Sequence, residues 1–485
     1  MTELHYLSAT DAIAQFRARE LSPVDLIAAV IERRAAVDPE LRAFTYTFDD
    51  QALAAAQAAE ARYAAGTARA LEGIPVAIKD LHQIAGYITT HGSLVFRDQR
   101  DETTLVTIQR LLDAGAIVVA RSTASEFGCS NITQSRLWGV TRNPWNLAYT
   151  AGGSSGGAGA ALAAGLTTLA DGSDYGGSIR IPAACCGVVG YKPPHGRNPT
   201  DQGASLDPCS HFGPMARTVA DAALMQNVMS GPGERDLATL PERVVLPERF
   251  DGIAGFRVAY SLDLGYVTLD PEVRAAMTAT LELLAGLGCE VEPVELGWTG
   301  RVLEAFELHH AASDAAALWP LLPSQRDLLT DYVVAQIERG NAIAARELFA
   351  THEVRAEMYA TLGPVLARCD LFVCPTTATP AVAADHAPGA ELRIAGRSVP
   401  GHRGWVMTYP FNLLGALPVL SVPVARARNG VPIGVQVIAR PYDDLRVFRG
   451  AAAIERARGL WFGDAAHQPC CPAPATRPTP SGRPG

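Results

Sequence analysis

Seven short runs rich in β-branched and apolar residues recur along the chain: IPVAI, GAIVVA, FRVAYSL, CEVEPVEL, LFVCP, VLSVPV and GVQVIA. Each is too short for a helix, and several are apolar at every position, the pattern of strands covered on both sides. Alanine-rich stretches with helical spacing separate them. Strands alternating with helices predict an α/β fold, a mixed twisted central sheet covered by helices on both faces. Ser22-Pro23 marks one helix start, with an N-cap residue and a proline at the first helical position ahead of VDLIAAVIERRAAV. No linker composition divides residues 5 to 460, so residues 1–467 are expected to form one domain. The closing stretch QPCCPAPATRPTPSGRPG, residues 468–485, is proline-rich without apolar periodicity and is expected to be a disordered tail.

Charge narrows the partners. Fifty acidic against 41 basic residues give a net charge of −9, and no dense Lys/Arg run offers a footprint for nucleic acid or an anionic membrane. A small-molecule partner is expected, with a homodimer left open. The N-terminus MTELHYLSATDAIAQF lacks the apolar core of a signal peptide, and AALAAGLTTLA from Ala160 is too short to span a bilayer, so a cytoplasmic protein is expected. Nine cysteines without a CxxC pair suit reduced, buried thiols. With no zinc spacing and no nucleotide loop, neither a metal nor an organic cofactor is expected.

Residues 152–157 read GGSSGG, and a second glycine-flanked serine follows in SDYGGSIR. The first run fits G-x-S-x-G around Ser154, the nucleophile elbow of an α/β-hydrolase, but that motif needs a strand directly before it. RNPWNLAYTA, with its proline and two asparagines, is a poor strand by composition. A phosphate-binding loop is excluded as well, because GGSSGGAG ends without lysine and hydroxyl. In SDYGGSIR the backbone N–H groups of Tyr175, Gly176, Gly177 and Ser178 can converge on one point, as an oxyanion hole requires.

A serine hydroxyl needs a base. The eleven histidines are scattered, apart from His309-His310 in a helical stretch, and none has a glycine-rich context. Lys79, at the end of the apolar run IPVAIKD, is the better candidate, because burial disfavours its charged form and lowers its pKa.

Over roughly residues 5 to 460 the chain resembles the amidase signature family. The resemblance is carried by AGGSSGGAGAALAAGLTTLADGSDYGGSIRIPAACCGVVGYKP, in which Ser154 and Ser178 stand twenty-four positions apart. GIPVAIKD, TRNPWN, FGPMARTVAD, VCPTTATPA and YPFNLLGALPVLSVP support it. The resemblance implies Lys79 as base, Ser154 as a bridging serine after a cis peptide, and Ser178 as nucleophile. It further implies Ser155, Ser173, Asp174 and Arg180 as supporting residues, with Asp174 and Arg180 bracing the nucleophile turn. Two departures stand out: Ser173 where the family commonly has threonine, and Tyr175 where many members carry a smaller residue.

Ser130 matches a family position near the lysine, and Phe127, Cys129 and Trp138 are expected with it as pocket lining. The implied activity is hydrolysis of a small-molecule amide to carboxylate and ammonia or amine through an acyl-Ser178 intermediate. Two alternatives share the same residues: the glutaminase component of a tRNA-dependent amidotransferase, and acyl transfer to an amine. The loop GRNPTDQGASLDPCSH from Gly196 is read as lying over the site.

Overall fold

The computed structural model describes residues 3–201, 203–459, 461–463 and 468–469. Nearly all of the expected tail lies outside the described residues. Eleven strands form one sheet: β1 (Phe44–Thr47), β2 (Pro75–Lys79), β3 (Ile117–Ser122), β4 (Leu169–Ser173), β5 (Val189–Lys192), β6 (Phe212–Ala216), β7 (Arg257–Tyr260), β8 (Glu290–Pro293), β9 (Leu371–Pro375), β10 (Val419–Arg426) and β11 (Pro432–Ile438). Their spatial order is β1-β3-β2-β4-β6-β5-β10-β11-β9-β7-β8. The β3-β2-β4 and β9-β7-β8 pairings are parallel and the others antiparallel, so the sheet is mixed.

Helices cover both faces. Successive side chains on a strand point to opposite sides. On β11, a Cβ at Gly434 would lie 2.8 Å from Ala184 of the helix Arg180–Cys186, while Val437 points the other way, toward Gly450 of the helix Asp444–Arg458. The helix Pro23–Leu41 begins as its sequence implies, with Ser22 Oγ accepting from the Val24 N–H at 3.1 Å. Among the described residues, no helix is long and apolar enough to cross a membrane.

All seven runs read as strands lie in this sheet. The four not anticipated are β1, β4, β5 and β6; the last three are LADGS, VGYK and FGPMA, in which glycine, aspartate and proline depress strand propensity. Their glycines have a common purpose. A Cβ at Gly172 of β4 would lie 2.8 Å from Ile179, at Gly190 of β5 2.9 Å from it, and at Gly213 of β6 3.2 Å from it. These three strands are neighbours, and together they leave a hollow into which Ile179 sinks. Ile179 directly follows Ser178, so the hollow fixes the height of the serine turn above the sheet.

Filling that hollow is expected to destabilise the fold. Gly190→Val pushes a side chain against Ile179 and Ala183. Overpacking of this kind costs about 1–3 kcal/mol. The urea midpoint should fall with an unchanged m-value.

Candidate active site

Lys79 is the last residue of β2 and wholly buried. Its Nζ lies 2.8 Å from Ser154 Oγ and 2.9 Å from Ser173 Oγ, at the end of the adjacent strand β4. Its backbone N–H donates to Asp171 Oδ1 at 2.7 Å, and the other oxygen of Asp171 is in close contact with His82 Nδ1. Burial lowers the Lys79 pKa to about 7, against the opposing charges of Asp171 and Asp174. Among the described residues no carboxylate touches Nζ, and so the desolvation effect prevails. A neutral amine here has one lone pair for Ser154 and N–H groups for Ser173.

Ser154 follows a cis Gly153-Ser154 peptide and precedes the helix Gly156–Ala163. A Cβ at Gly153 would lie 2.7 Å from the Asn131-Ile132 backbone, which keeps this turn against the loop beneath it. The segment before it does contain a strand, contrary to expectation: Asn146–Thr150 pairs with Arg142–Asn143 in a separate two-stranded hairpin. Asparagine side chains sustain it, as Asn143 donates to the Thr150 and Cys185 carbonyls. The hairpin lies outside the central sheet, so it does not supply the elbow's strand.

The second serine turn is held by one buried pair. Asp174 and Arg180 are both fully buried, with Arg180 Nε and Nη2 each 2.9 Å from the carboxylate. Asp174 also accepts from the Gly177 N–H at 2.8 Å and from Asn412 Nδ2 at 2.8 Å. Burial would raise its pKa, but Arg180 and Asn412 hold it down at about 2. Thr408 Oγ1 donates to the Gly176 carbonyl at 2.6 Å. Gly177 has φ +123°, and a Cβ there would fall 1.9 Å from Thr408 Oγ1, so this position demands glycine.

One expected oxyanion donor is therefore corrected. The Gly177 N–H is turned inward and used by Asp174. The N–H groups of Tyr175, Gly176 and Ser178 donate to no described residue. Ser155 and Ser173 also take part in the scaffold: the Ser155 N–H donates to the Ser178 carbonyl at 3.2 Å, and Ser155 Oγ donates to the Ser173 carbonyl at 3.5 Å. Ser154 and Ser178 line one cavity of about 370 Å³, with no hydrogen bond joining their hydroxyls.

The walls of that cavity are largely apolar, formed by Leu81, Phe96, Phe127, Phe212 and Leu318, with His82, His91, His310, Ser210, Ser313 and Asp314 among them. Ser210 comes from the loop after Gly196, which thus reaches the site. Phe127 and His91 both have left-handed backbones, at φ 52° and 53°, and their rings stack 6.2 Å apart. Such conformations cost about 1–3 kcal/mol each and are held by surrounding structure.

Three expected pocket residues do not line the cavity. The Trp138 indole N–H donates to Thr90 Oγ1 at 3.0 Å and its ring packs on Tyr46. The Cys129 thiol lies behind the wall in a small apolar cluster and faces Asp314. Ser130 is buried and caps the Ile132 N–H at 3.2 Å. In each case the side chain satisfies local packing or hydrogen bonding, which spacing alone does not distinguish from pocket lining. The cavity histidines escape sequence reasoning because nothing near them in the chain marks a common destination.

Asp207, Cys209 and His309 gather three groups able to bind a metal. Asp207 already accepts from His309 Nε2 at 2.9 Å and from the Tyr175 hydroxyl, and burial pushes the Cys209 thiol pKa well up. Asp207 and His309 brace Tyr175, the one at its hydroxyl and the other by ring stacking.

Residues 25–448 match the family described as Amidase. An acylamidase of Rhodococcus erythropolis is 34% identical, over 94% of this chain and 97% of its own length. A glutamyl-tRNA(Gln) amidotransferase component from Chloroflexus aggregans is 33% identical, over the same 94% and 97%. Among solved structures, a bacterial aryl acylamidase of the amidase signature family superposes with TM-score 0.87 at 29% identity, covering 94% of this chain and 96% of that one. A substrate complex of 6-aminohexanoate cyclic dimer hydrolase gives 0.84 at 28%, covering 96% and 99%.

Removing one partner of the buried pair is expected to be severe. Arg180→Met leaves the Asp174 carboxylate dry and uncompensated, at a cost of about 3–5 kcal/mol. Chemical denaturation of the variant beside the wild type measures it.

Proposed function

This chain belongs to the amidase signature family and is an amidohydrolase, and from that premise we propose that Ser178 is its nucleophile, Ser154 the bridge and Lys79 the base. The observation that carries the assignment is the dry Lys79 amine, within 2.8 Å of Ser154 Oγ and with its pKa lowered to about 7. Only the neutral amine accepts a proton. Lys79 takes one from Ser154, Ser154 takes one from Ser178, and Ser178 Oγ attacks the amide carbonyl. The contact between the two serine hydroxyls, not formed in the structure, closes when substrate fills the cavity, as catalytic hydrogen bonds often tighten only in the complex.

Negative charge then develops on the carbonyl oxygen. The N–H groups of Tyr175, Gly176 and Ser178 are the unspent donors beside it, and preorganised donors are worth most where water is excluded. Collapse of the tetrahedral intermediate expels the amine, which is protonated by the reverse path. Water then releases the carboxylate from Ser178. Asp174 and Arg180 hold the geometry and exchange no proton.

The apolar walls suit an aryl or alkyl group beside the scissile bond, which agrees with the acylamidase and aryl acylamidase relatives. The amidotransferase relatives keep a second reading in view, glutamine hydrolysis. Against it, the described residues lining the cavity include no arginine or lysine for the α-carboxylate of glutamine.

A fluorophosphonate should label Ser178 and leave Ser154 unmodified, as read by peptide mapping. Lys79→Ala and Ser154→Ala should each lower kcat by about 10²–10⁴-fold in a folded protein. Near-normal turnover in either variant rules out the proton path.

The pH profile follows from the base. Below about 7 Lys79 is protonated and cannot accept, so kcat/KM should rise with pH through that value and stay high above it. His82, His91 and His310 share the cavity. Their alanine variants should retain the limb and Lys79→Ala should lose it; the reverse pattern transfers the base role to a histidine.

A further inference from the structure

One acceptor in the cavity beside Ser178 is used by no other group among the described residues. Asp314, on the helix Arg301–Leu318, reaches the cavity wall. All its side-chain contacts converge on Oδ2, where Gln336 Nε2 donates at 3.0 Å and the Cys129 thiol at 3.6 Å. His310 Nδ1 lies 3.2 Å from the same oxygen, but this nitrogen accepts from Gln336 Nε2 at 2.6 Å and from an Arg403 N–H at 3.0 Å. Burial keeps His310 neutral, so it brings Asp314 no positive charge. Among the described residues no donor reaches Oδ1, and the side chain remains 18% exposed.

A partly buried carboxylate with no cation in contact is costly. Burial pushes the Asp314 carboxyl up to about 6, with Gln336, Arg403 and Cys129 pulling the other way, which still leaves it mostly charged at neutral pH. The cavity it lines also carries the apolar side chains of Leu81, Phe96, Phe127 and Leu318. The site thus accepts an apolar body and presents one anionic oxygen to it.

We propose that Asp314 determines specificity for amides whose aryl or alkyl body ends in a primary ammonium, which donates to Oδ1 while the scissile carbonyl lies at Ser178. This rests on the amidohydrolase reading and adds the substrate class to it. An ammonium fits better than a neutral hydroxyl, because a compensating charge offsets the desolvation of the carboxylate. It fits better than a guanidinium, because a forked donor requires both carboxylate oxygens and Oδ2 is occupied.

The test is kcat/KM of the whole enzyme on two matched pairs. 4-(Aminomethyl)benzamide against 4-ethylbenzamide places the ammonium on the acyl side of the scissile bond; 4-(aminomethyl)acetanilide against 4-ethylacetanilide places it on the amine side. In one pair the cationic member should be favoured by about tenfold or more, the range of a hydrogen bond to a charged group. In Asp314→Asn that ratio should fall to about one, since the amide keeps shape and loses charge. Equal rates within both pairs in the wild type overturn the proposal without recourse to any variant. A preference that survives in Asp314→Asn does so too, as does no turnover of any of the four amides. Fluorophosphonate labelling of Ser178 separates these failures from a failure of the amidohydrolase reading: a labelled but unselective enzyme refutes only the substrate class.

Discussion

The architecture of the site depends on the buried ion pair between Asp174 and Arg180. Taking both charges out of water is tolerable only when every polar atom finds a partner. Here each guanidinium N–H does: Nε and one Nη2 hydrogen go to Asp174, the other Nη2 hydrogen to Asn412 Oδ1, and the Nη1 hydrogens to the Thr408 carbonyl and Gln436 Oε1. The pair therefore ties the Ser178 turn to β11 and to the segment around Thr408 and Asn412, more than 200 residues further along the chain. It also turns the Gly177 N–H inward, while the N–H groups of Tyr175, Gly176 and Ser178 donate to no described residue.

Three buried ionisable groups around the same cavity are tuned apart by their partners. Lys79 is dry and, among the described residues, touched only by hydroxyls at its amine, so burial lowers its pKa toward neutrality. Asp174 is as deeply buried, yet an arginine in contact keeps it ionised. Asp314 has amide and thiol donors but no cation in contact, and its carboxyl moves up. Burial alone predicts the directions for Lys79 and Asp314, and fails for Asp174, where the arginine in contact reverses it. At Lys79 the result is an amine near neutrality, at Asp174 a fixed charge, and at Asp314 an acceptor with spare capacity.

The strands not anticipated from the sequence are informative for the same physical reason. LADGS, VGYK and FGPMA each carry a glycine facing Ile179, the one in FGPMA meeting the Tyr191 carbonyl more closely still, and a side chain that sinks into a sheet cannot be seen from any one of the three segments. Cys129, Ser130 and Trp138 have the loop position near the lysine that suggests pocket lining. Each instead turns to a local partner, and the positions that do form the wall, such as His82, His91, Phe212 and Asp314, come from segments with no shared motif.

The linear chain determined the class of the fold and the family resemblance from which the reactive residues are proposed. Hydrophobic periodicity is a local property, and the long run from GGSSGG to GGSIR is specific enough to carry the family resemblance that implies roles for Lys79, Ser154 and Ser178. Tertiary structure alone decided how those residues are solvated and which atoms are left unspent. It placed Asp171 against the backbone of Lys79, spent the Gly177 N–H on Asp174, and left Asp314 Oδ1 without a donor among the described residues. These outcomes depend on hydrogen bonds and dielectric surroundings contributed by residues distant in sequence, and a pKa or a free lone pair belongs to that assembled environment, not to the residue.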